Sequence, residues 1–297
     1  MSIFPSNRIV ATLATKYAFE DLQLFMESLQ QFECQNPPDL YISVDNYIYD
    51  KFTKDITFQH NYKGALYLIR SLEKYSHVTR AQMEAMVGTN FQTLWEDFMA
   101  EKIVLLQRIF NKKPDVRIYL CDSDICFFGP LPDVPEGVKT ALSPHYIKSS
   151  DSDKYGYYNG GFVYTCDPFM PNIWMAACKT SRYYEQAALE DVAKYTKAQQ
   201  LSQFYEFPMQ VNYGWWRLFQ GPISSDALLQ QWKLQETISD ASENHGGIMV
   251  DKKPLLCVHT HFYEKKDQIT MAFNNIVKNY LQRSKNPNAK ILLSLIK

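Results

Sequence analysis

Tyr119–Leu131 reads YLCDSDICFFGPL, and its two carboxylates, Asp122 and Asp124, interrupt what is otherwise a largely apolar run. The stretch just before it, Val116–Cys121 (VRIYLC), has the composition of a short buried strand. Carboxylates at i and i+2 just past the end of such a strand turn toward one point when the backbone bends. Held among apolar residues, they need a cation or a dense hydrogen-bond network. Their hard oxygens suit Mg2+ or Mn2+, ions that keep coordination positions open for phosphate oxygens. A D-x-D pair standing alone also fits a solvated acidic turn, so the surrounding pattern has to decide.

Working outward, Arg8–Thr15 (RIVATLAT) reads as a buried strand, and Phe19–Gln31 places Leu22, Phe25, Met26 and Leu29 at helical spacing. After Pro37 and Pro38, Asp39–Asp45 (DLYISVD) predicts a second strand, and a strand-like or mixed stretch lies near Ala65–Ile69. A helix is predicted over Asn90–Phe110, with Phe98, Ile103, Leu105, Leu106 and Ile109 on its apolar side. Tyr157–Thr165 (YYNGGFVYT) and Leu255–Phe262 (LLCVHTHF) read as later strands, separated by a helix-rich region that contains tryptophan. The tail from Lys278 to Lys297 predicts a helix followed by a short apolar end. This alternation predicts an α/β fold with a mainly parallel sheet flanked by helices. Ligands in such folds bind outside the carboxyl ends of strands, here beyond Thr15, Asp45 and Cys121. One domain over 1–297 is expected, its first half (1–130) binding the ligand and its second (131–297) elaborated.

Composition narrows the classes. A net charge of -1 with 21% charged residues gives no electrostatic reason to expect nucleic-acid binding. Aromatic content of 14%, including 20 Tyr and 5 Trp, suits a large core together with grooves for planar or sugar-like groups. The cysteines at 34, 121, 126, 166, 178 and 257 are scattered without a C-x-x-C pair, which predicts reduced thiols. No apolar run is long enough to span a bilayer, the N-terminus lacks the layout of a signal peptide, and no N-x-[ST] acceptor occurs. A cytoplasmic location is therefore expected.

Three further motifs bear on chemistry. His259-Thr260-His261 places two imidazoles at i and i+2, where a strand would present both to one ion together with the distant carboxylates. Asn159-Gly160-Gly161 either lets the backbone approach a ligand or makes a tight turn. Gln210–Arg217 (QVNYGWWR) offers amides, an arginine and two tryptophans to a carbohydrate groove, with aromatic core as the competing use.

In this order the segments resemble GT-A nucleotide-diphospho-sugar glycosyltransferases, in motif layout the glycogenin and bacterial galactosyltransferase group. The resemblance spans most of the chain and implies a Rossmann-like GT-A fold with an elaborated C-terminal acceptor region. ATLATKY resembles the group's first strand and turn, implying that Leu13, Ala14, Thr15, Lys16 and Tyr17 surround the base and ribose. Lys102, on the helix before the D-x-D strand, would reach the donor, and Asp122 and Asp124, with Ser123 between them, would hold the ion. NGGFVY implies that Asn159 and Gly160 face the donor sugar. QVNYG resembles the later Asp-Gln-Asp-x-x-Asn segment and implies that Gln210 and Asn212 lie beside the anomeric carbon, although no acidic residue directly precedes Gln210. HTHFYEKK implies that His259 or His261, with His261 favoured, completes the metal shell and that Lys266 touches diphosphate. The group's G-x-x-K-P-W ending is absent.

The expected activity is transfer of a hexosyl or pentosyl group from a nucleotide-diphosphate sugar, a UDP-sugar by preference. The acceptor would be a hydroxyl of a glycan, a protein or another molecule, and the cofactor Mn2+ or Mg2+, with retention at the anomeric carbon. The alternatives are a catalytically silent glycan- or nucleotide-binding module and a metal-dependent phosphohydrolase. The latter commonly wants more acidic ligands, for two ions, than are found near this pair.

Overall fold

A computed structural model describes residues 7–235 and 244–296. Strand β1 (Arg8–Ala14) leads into α1 (Phe19–Phe32), β2 (Asp39–Val44) into α2 (Asn46–Thr53), and β3 (Leu66–Arg70) into the short α3 (Arg80–Ala85) and the long α4 (Leu94–Lys112). Then come β4 (Arg117–Cys121), β5 (Ile125–Phe127), β6 (Thr140–Pro144), α5 (Ser149–Tyr155) and β7 (Tyr158–Thr165). Helices α6 (Met170–Cys178), α7 (Tyr184–Ala187) and α8 (Leu189–Gln199) follow, with β8 (Phe204–Glu206), β9 (Tyr213–Gly214), α9 (Trp215–Phe219) and α10 (Ser225–Leu229). The chain continues through β10 (Trp232–Leu234), β11 (Ile248–Val250), β12 (Lys253–Pro254), β13 (Cys257–His259), α11 (Gln268–Arg283) and α12 (Pro287–Leu295).

The central sheet has the order β3-β2-β1-β4-β7-β6-β8. Its first four strands are parallel, as the β-α alternation predicts, while β7 runs antiparallel to both β4 and β6. Parallel strands covered on both faces are apolar throughout, and alternate residues feed separate cores. In β1, Val10 and Ala14 join a core shared with α1 and α11, whereas Ile9 and Ala11 face α4, α6 and α8. The α/β class read from the sequence is the observed one.

Three boundaries differ from expectation. The long helix starts at Leu94 rather than Asn90, because the Thr93 hydroxyl accepts from the Glu96 amide (3.2 Å) and the Glu96 carboxylate accepts from the Thr93 amide (3.0 Å). That capping box fixes the first turn, and the amides of Asn90 and Phe91 are drawn instead to Asp97. The last strand covers only Cys257–His259, since at Thr260 the chain turns and its amide bonds to the Asp124 carbonyl (3.0 Å). The tail forms a second helix, because Asn286 caps a new N-terminus that Pro287 opens.

Candidate active site

The site is assembled by two sheets. The parallel strands β1 and β4 end at one edge of the large sheet, where Asp122 leaves β4 with its amide bonded to the Gly161 carbonyl (2.9 Å). The three-stranded sheet β5-β13-β9 then carries the chain after Asp124 against the strand that ends in His259, pairing Ile125 with His259. Residues more than a hundred positions apart are thus fixed by backbone hydrogen bonds. One ligand atom from each of Asp122, Asp124 and His259 lies within 4.8 Å of the others. The His259 Nε2 is 3.1 Å from Asp124 Oδ1 and 3.8 Å from Asp122 Oδ2.

This cluster opens on a cavity of about 520 Å³. Leu13, Ala14, Thr15 and Tyr17 line one side, together with Lys102, Ser123 and Gly160. The Lys16 side chain points elsewhere, 3.4 Å from His77, while its amide donates to Asp45. Lys266 is exposed outside the cavity lining, and its amide is turned onto the Glu264 carboxylate.

Charges in the cavity floor are tightly paired. Lys102 is buried, with its ammonium 2.7 Å from Asp122 Oδ1 and 3.0 Å from Glu185 Oε1. Burial by itself would lower its pKa, but the two carboxylates outweigh it and hold the ammonium above the ordinary lysine value. Burial likewise pushes the Asp124 carboxyl up, yet the charges of His259 and His261 and the His259 hydrogen bond hold it well below the usual range. His261 is on a turn rather than a strand. Its Nδ1 meets Asp21 at 2.8 Å and its Nε2 lies 3.4 Å from Asp124 Oδ2, and the charge of Asp124, against some desolvation, raises its pKa to about 10. The expectation that both imidazoles share a strand face is therefore corrected: His259 ends the strand within the Asp122–Asp124 cluster, and His261 lies past it.

Three residues expected at the donor sugar lie behind the cavity wall. Gln210 is buried, with its side-chain amide donating to the Val250 carbonyl (2.6 Å) and its backbone carbonyl accepting from the Leu256 amide. That places it under the small sheets, so it does not reach a ligand in this cavity. Asn159 and Asn212 are buried and bonded to each other, Asn212 Nδ2 donating to Asn159 Oδ1 at 2.8 Å. Trp216 of the same segment is core, packed edge-on against His259 with 4.9 Å between ring centroids, and Arg217 is spent on Met209, Ser143 and Pro144.

Other residues reach the cavity without having been singled out from the sequence. Glu185 and Gln186 enter from α7, next to Tyr183 and Tyr184, and Arg80 lies across the Trp95 ring at 4.6 Å. Among the described residues the buried indole N–H of Trp95, in the cavity wall, has no hydrogen-bond partner. Glu185-Gln186 was findable as an acid followed by an amide, the pattern that Gln210 lacks.

Among the described residues no helix is long and apolar enough to cross a membrane, and all six cysteines are free. No protein-family model matches the chain, and no curated protein matches it. Among solved structures, the chain is similar to mouse xyloside xylosyltransferase 1 in its apo form. That likeness has a TM-score of 0.45 at 10% identity, over 86% of this chain and 97% of that one.

Proposed function

We propose that this protein is a metal-dependent glycosyltransferase that uses a nucleotide-diphosphate sugar, preferably a UDP-sugar, and transfers the glycosyl group to a hydroxyl acceptor. The convergence of Asp122, Asp124 and His259 on the floor of a cavity that also gathers the Leu13–Tyr17 turn carries this reading. Two carboxylates and one imidazole make a donor set that suits Mn2+ better than an all-oxygen site would, and three ligands leave positions for diphosphate oxygens. The ion would supply Lewis-acid stabilisation of the leaving diphosphate. A cavity of about 520 Å³ falls within the usual range for small-molecule and cofactor sites.

The chain's own residues have separate tasks in this reading. The Leu13–Tyr17 turn and Tyr17 ring pack on the base and ribose. Gly160 leaves room beside Glu185, since a Cβ there would come within 3.0 Å of its carboxylate. Glu185, Gln186 and Lys102 then bracket the sugar end next to the D-x-D carboxylates. Retention is the stereochemical outcome proposed, with Gln186, held by the Tyr155 carbonyl (2.7 Å) and by Asn159 (3.1 Å), lining the sugar end in place of Gln210.

Thermal-shift titration of UDP-, GDP- and other nucleotide sugars, with and without Mn2+, tests the proposal. Stabilisation by one donor that requires Mn2+ and vanishes in Asp124→Asn is the expected result. No Mn2+-dependent shift with any donor would sink it, and turnover of phosphate esters without sugar transfer would put the hydrolase reading in its place.

A further inference from the structure

Behind the cavity, the side chains of His145, Asn159, Asn212 and His259 form an unbroken hydrogen-bonded file whose direction is fixed by the backbone. The fixed point is the Gly161 amide, which donates to Asn159 Oδ1 at 2.8 Å. An N–H can only donate, so the Asn159 amide group is oriented by it. Asn159 Oδ1 then also accepts from Asn212 Nδ2 at 2.8 Å, which turns Asn212 Oδ1 toward His259 Nδ1, again at 2.8 Å. Facing an acceptor, that ring nitrogen has to carry hydrogen. In the other direction, Asn159 Nδ2 donates to Gln186 Oε1 (3.1 Å) and to His145 Nε2 (3.0 Å), and the remaining His145 nitrogen donates to the Gly156 carbonyl (2.9 Å). Each of these contacts pairs a donor with an acceptor.

We infer that Asn212 is a positioning residue for the metal site: it locks His259 in the tautomer with hydrogen on Nδ1, so that the Nε2 lone pair points at the ion held by Asp122 and Asp124. The inference rests on the metal reading proposed above. Metal-bound histidines generally donate their second N–H to a fixed acceptor, which sets ring orientation and ligand basicity. Here the acceptor is an amide whose own direction is set, through Asn159, by a backbone N–H. The ring is confined as well, since a Cβ at Gly161 would fall on the His259 imidazole and Trp216 lies edge-on to it. Asn212 adopts a left-handed backbone (φ 59°), a conformation that asparagine tolerates better than most residues. Asn159 and Asn212 thereby act on the metal through His259, not on the sugar.

The test uses Asn212→Gly, which removes the amide while tolerating the left-handed backbone, and Asn212→Asp, which keeps an acceptor toward His259. Long-range 1H–15N NMR on histidine-labelled protein, with the His259 signals assigned through His259→Gln, reads the protonation of each ring nitrogen. In wild type Nδ1 stays protonated both without metal and after Mg2+ addition. Asn212→Asp keeps that state, and Asn212→Gly loses it. Mn2+ affinity, followed by the EPR signal of the free ion with no sugar donor present, falls about 10- to 100-fold in Asn212→Gly. A wild-type His259 with hydrogen on Nε2 alone overturns the inference even if neither variant folds. So does an Asn212→Gly protein with unchanged tautomer and Mn2+ affinity, or an Asn212→Asp protein that loses the Nδ1 proton. Failure of wild type to bind Mn2+ overturns the metal reading and this role together, which separates it from a wild type that binds and an Asn212→Gly that binds equally well.

Discussion

Replacing Lys102 by methionine removes one ammonium and leaves two carboxylates behind. Among the described residues Glu185 has no side-chain partner other than Lys102, and its side chain is only 6% exposed, whereas Asp122, at 25%, retains some access to water. Breaking a buried pair costs about 3–5 kcal/mol because the orphaned charge stays buried. With Asp122 partly solvated, the lower part of that range applies, about 3–4 kcal/mol. At roughly 2–4 °C per kcal/mol for a large domain, the melting temperature should fall by roughly 6–16 °C. The pH dependence of the loss separates this cause from lost packing. Wild-type Lys102 has a raised pKa, so its contribution is fully present below the unfolded lysine value of 10.5 and does not change between about pH 5 and about pH 8. In the variant, the Glu185 carboxylate is left buried without its counter-charge, and burial disfavours the ionised form. Stability is therefore regained as the pH falls, and the deficit should be smaller near about pH 5 than near about pH 8. Scanning fluorimetry of both proteins across that range reads it. A deficit that is flat with pH, or that grows toward acid, would refute the reasoning that two carboxylates depend on this ammonium.

Asp124→Asn should abolish Mn2+-dependent stabilisation, which for wild type reaches about 2.7 kcal/mol at a hundredfold excess over the dissociation constant; a retained shift would remove Asp124 from the ligand set. Of the two histidines, His259→Gln should weaken Mn2+ binding measured by calorimetry far more than His261→Gln, because only His259 stands in the triad; the reverse order would restore the sequence-based preference for His261. Metal-free wild type should lose stability as pH rises through about 10, since His261 has a raised folded pKa and its contribution is complete only below the unfolded value of 6.5, and His261→Gln should flatten that loss. Trp174→Phe deletes the indole donor to the Glu185 carbonyl (2.6 Å) in a fully buried site and should cost about 1–3 kcal/mol by chemical denaturation, with a near-neutral result arguing that the carbonyl finds another partner.

Legibility from sequence followed how local the cause was. β1, β2 and β4 were readable because strands buried on both faces are continuous apolar runs, and Asp122 and Asp124 because charge inside such a run is conspicuous. The antiparallel course of β7 left no trace, since its apolar composition is that of any covered strand. His259 was recognised as a candidate but not separated from His261. The difference depends on where β13 stops, and that is set by the long-range bond from the Thr260 amide to the Asp124 carbonyl. Asp21 was passed over as one acid in the first turn of a helix, although the fold sets it against His261.

The misplacement of Gln210 has a more specific origin. Its segment offered an amide, a glycine and aromatics in the expected chain order, but an amide buried between β11 and β13 serves the backbone equally well, and the Gln210 side chain does so through the Val250 carbonyl. Gln186 has a different setting. It follows Glu185 on α7, a helix whose first residue, Tyr184, sits at positive φ (44°), a conformation disfavoured for a bulky side chain. Strained aromatic backbone persists where surrounding contacts hold it, and such sites concentrate around bound ligands. Here those contacts include the Lys102–Glu185 pair and the hydrogen bond from Trp174 to the Glu185 carbonyl. Gln186 in turn accepts from Asn159, which holds the file leading to His259. An amide that lines the cavity and also braces the file behind the Asp122–Asp124–His259 cluster would, in the proposed reading, link donor and ion sites in one network. For that reason Gln186→Ala should disturb Mn2+ affinity as well as donor-dependent stabilisation, whereas Gln210→Ala should lower the melting temperature and leave both binding constants in place.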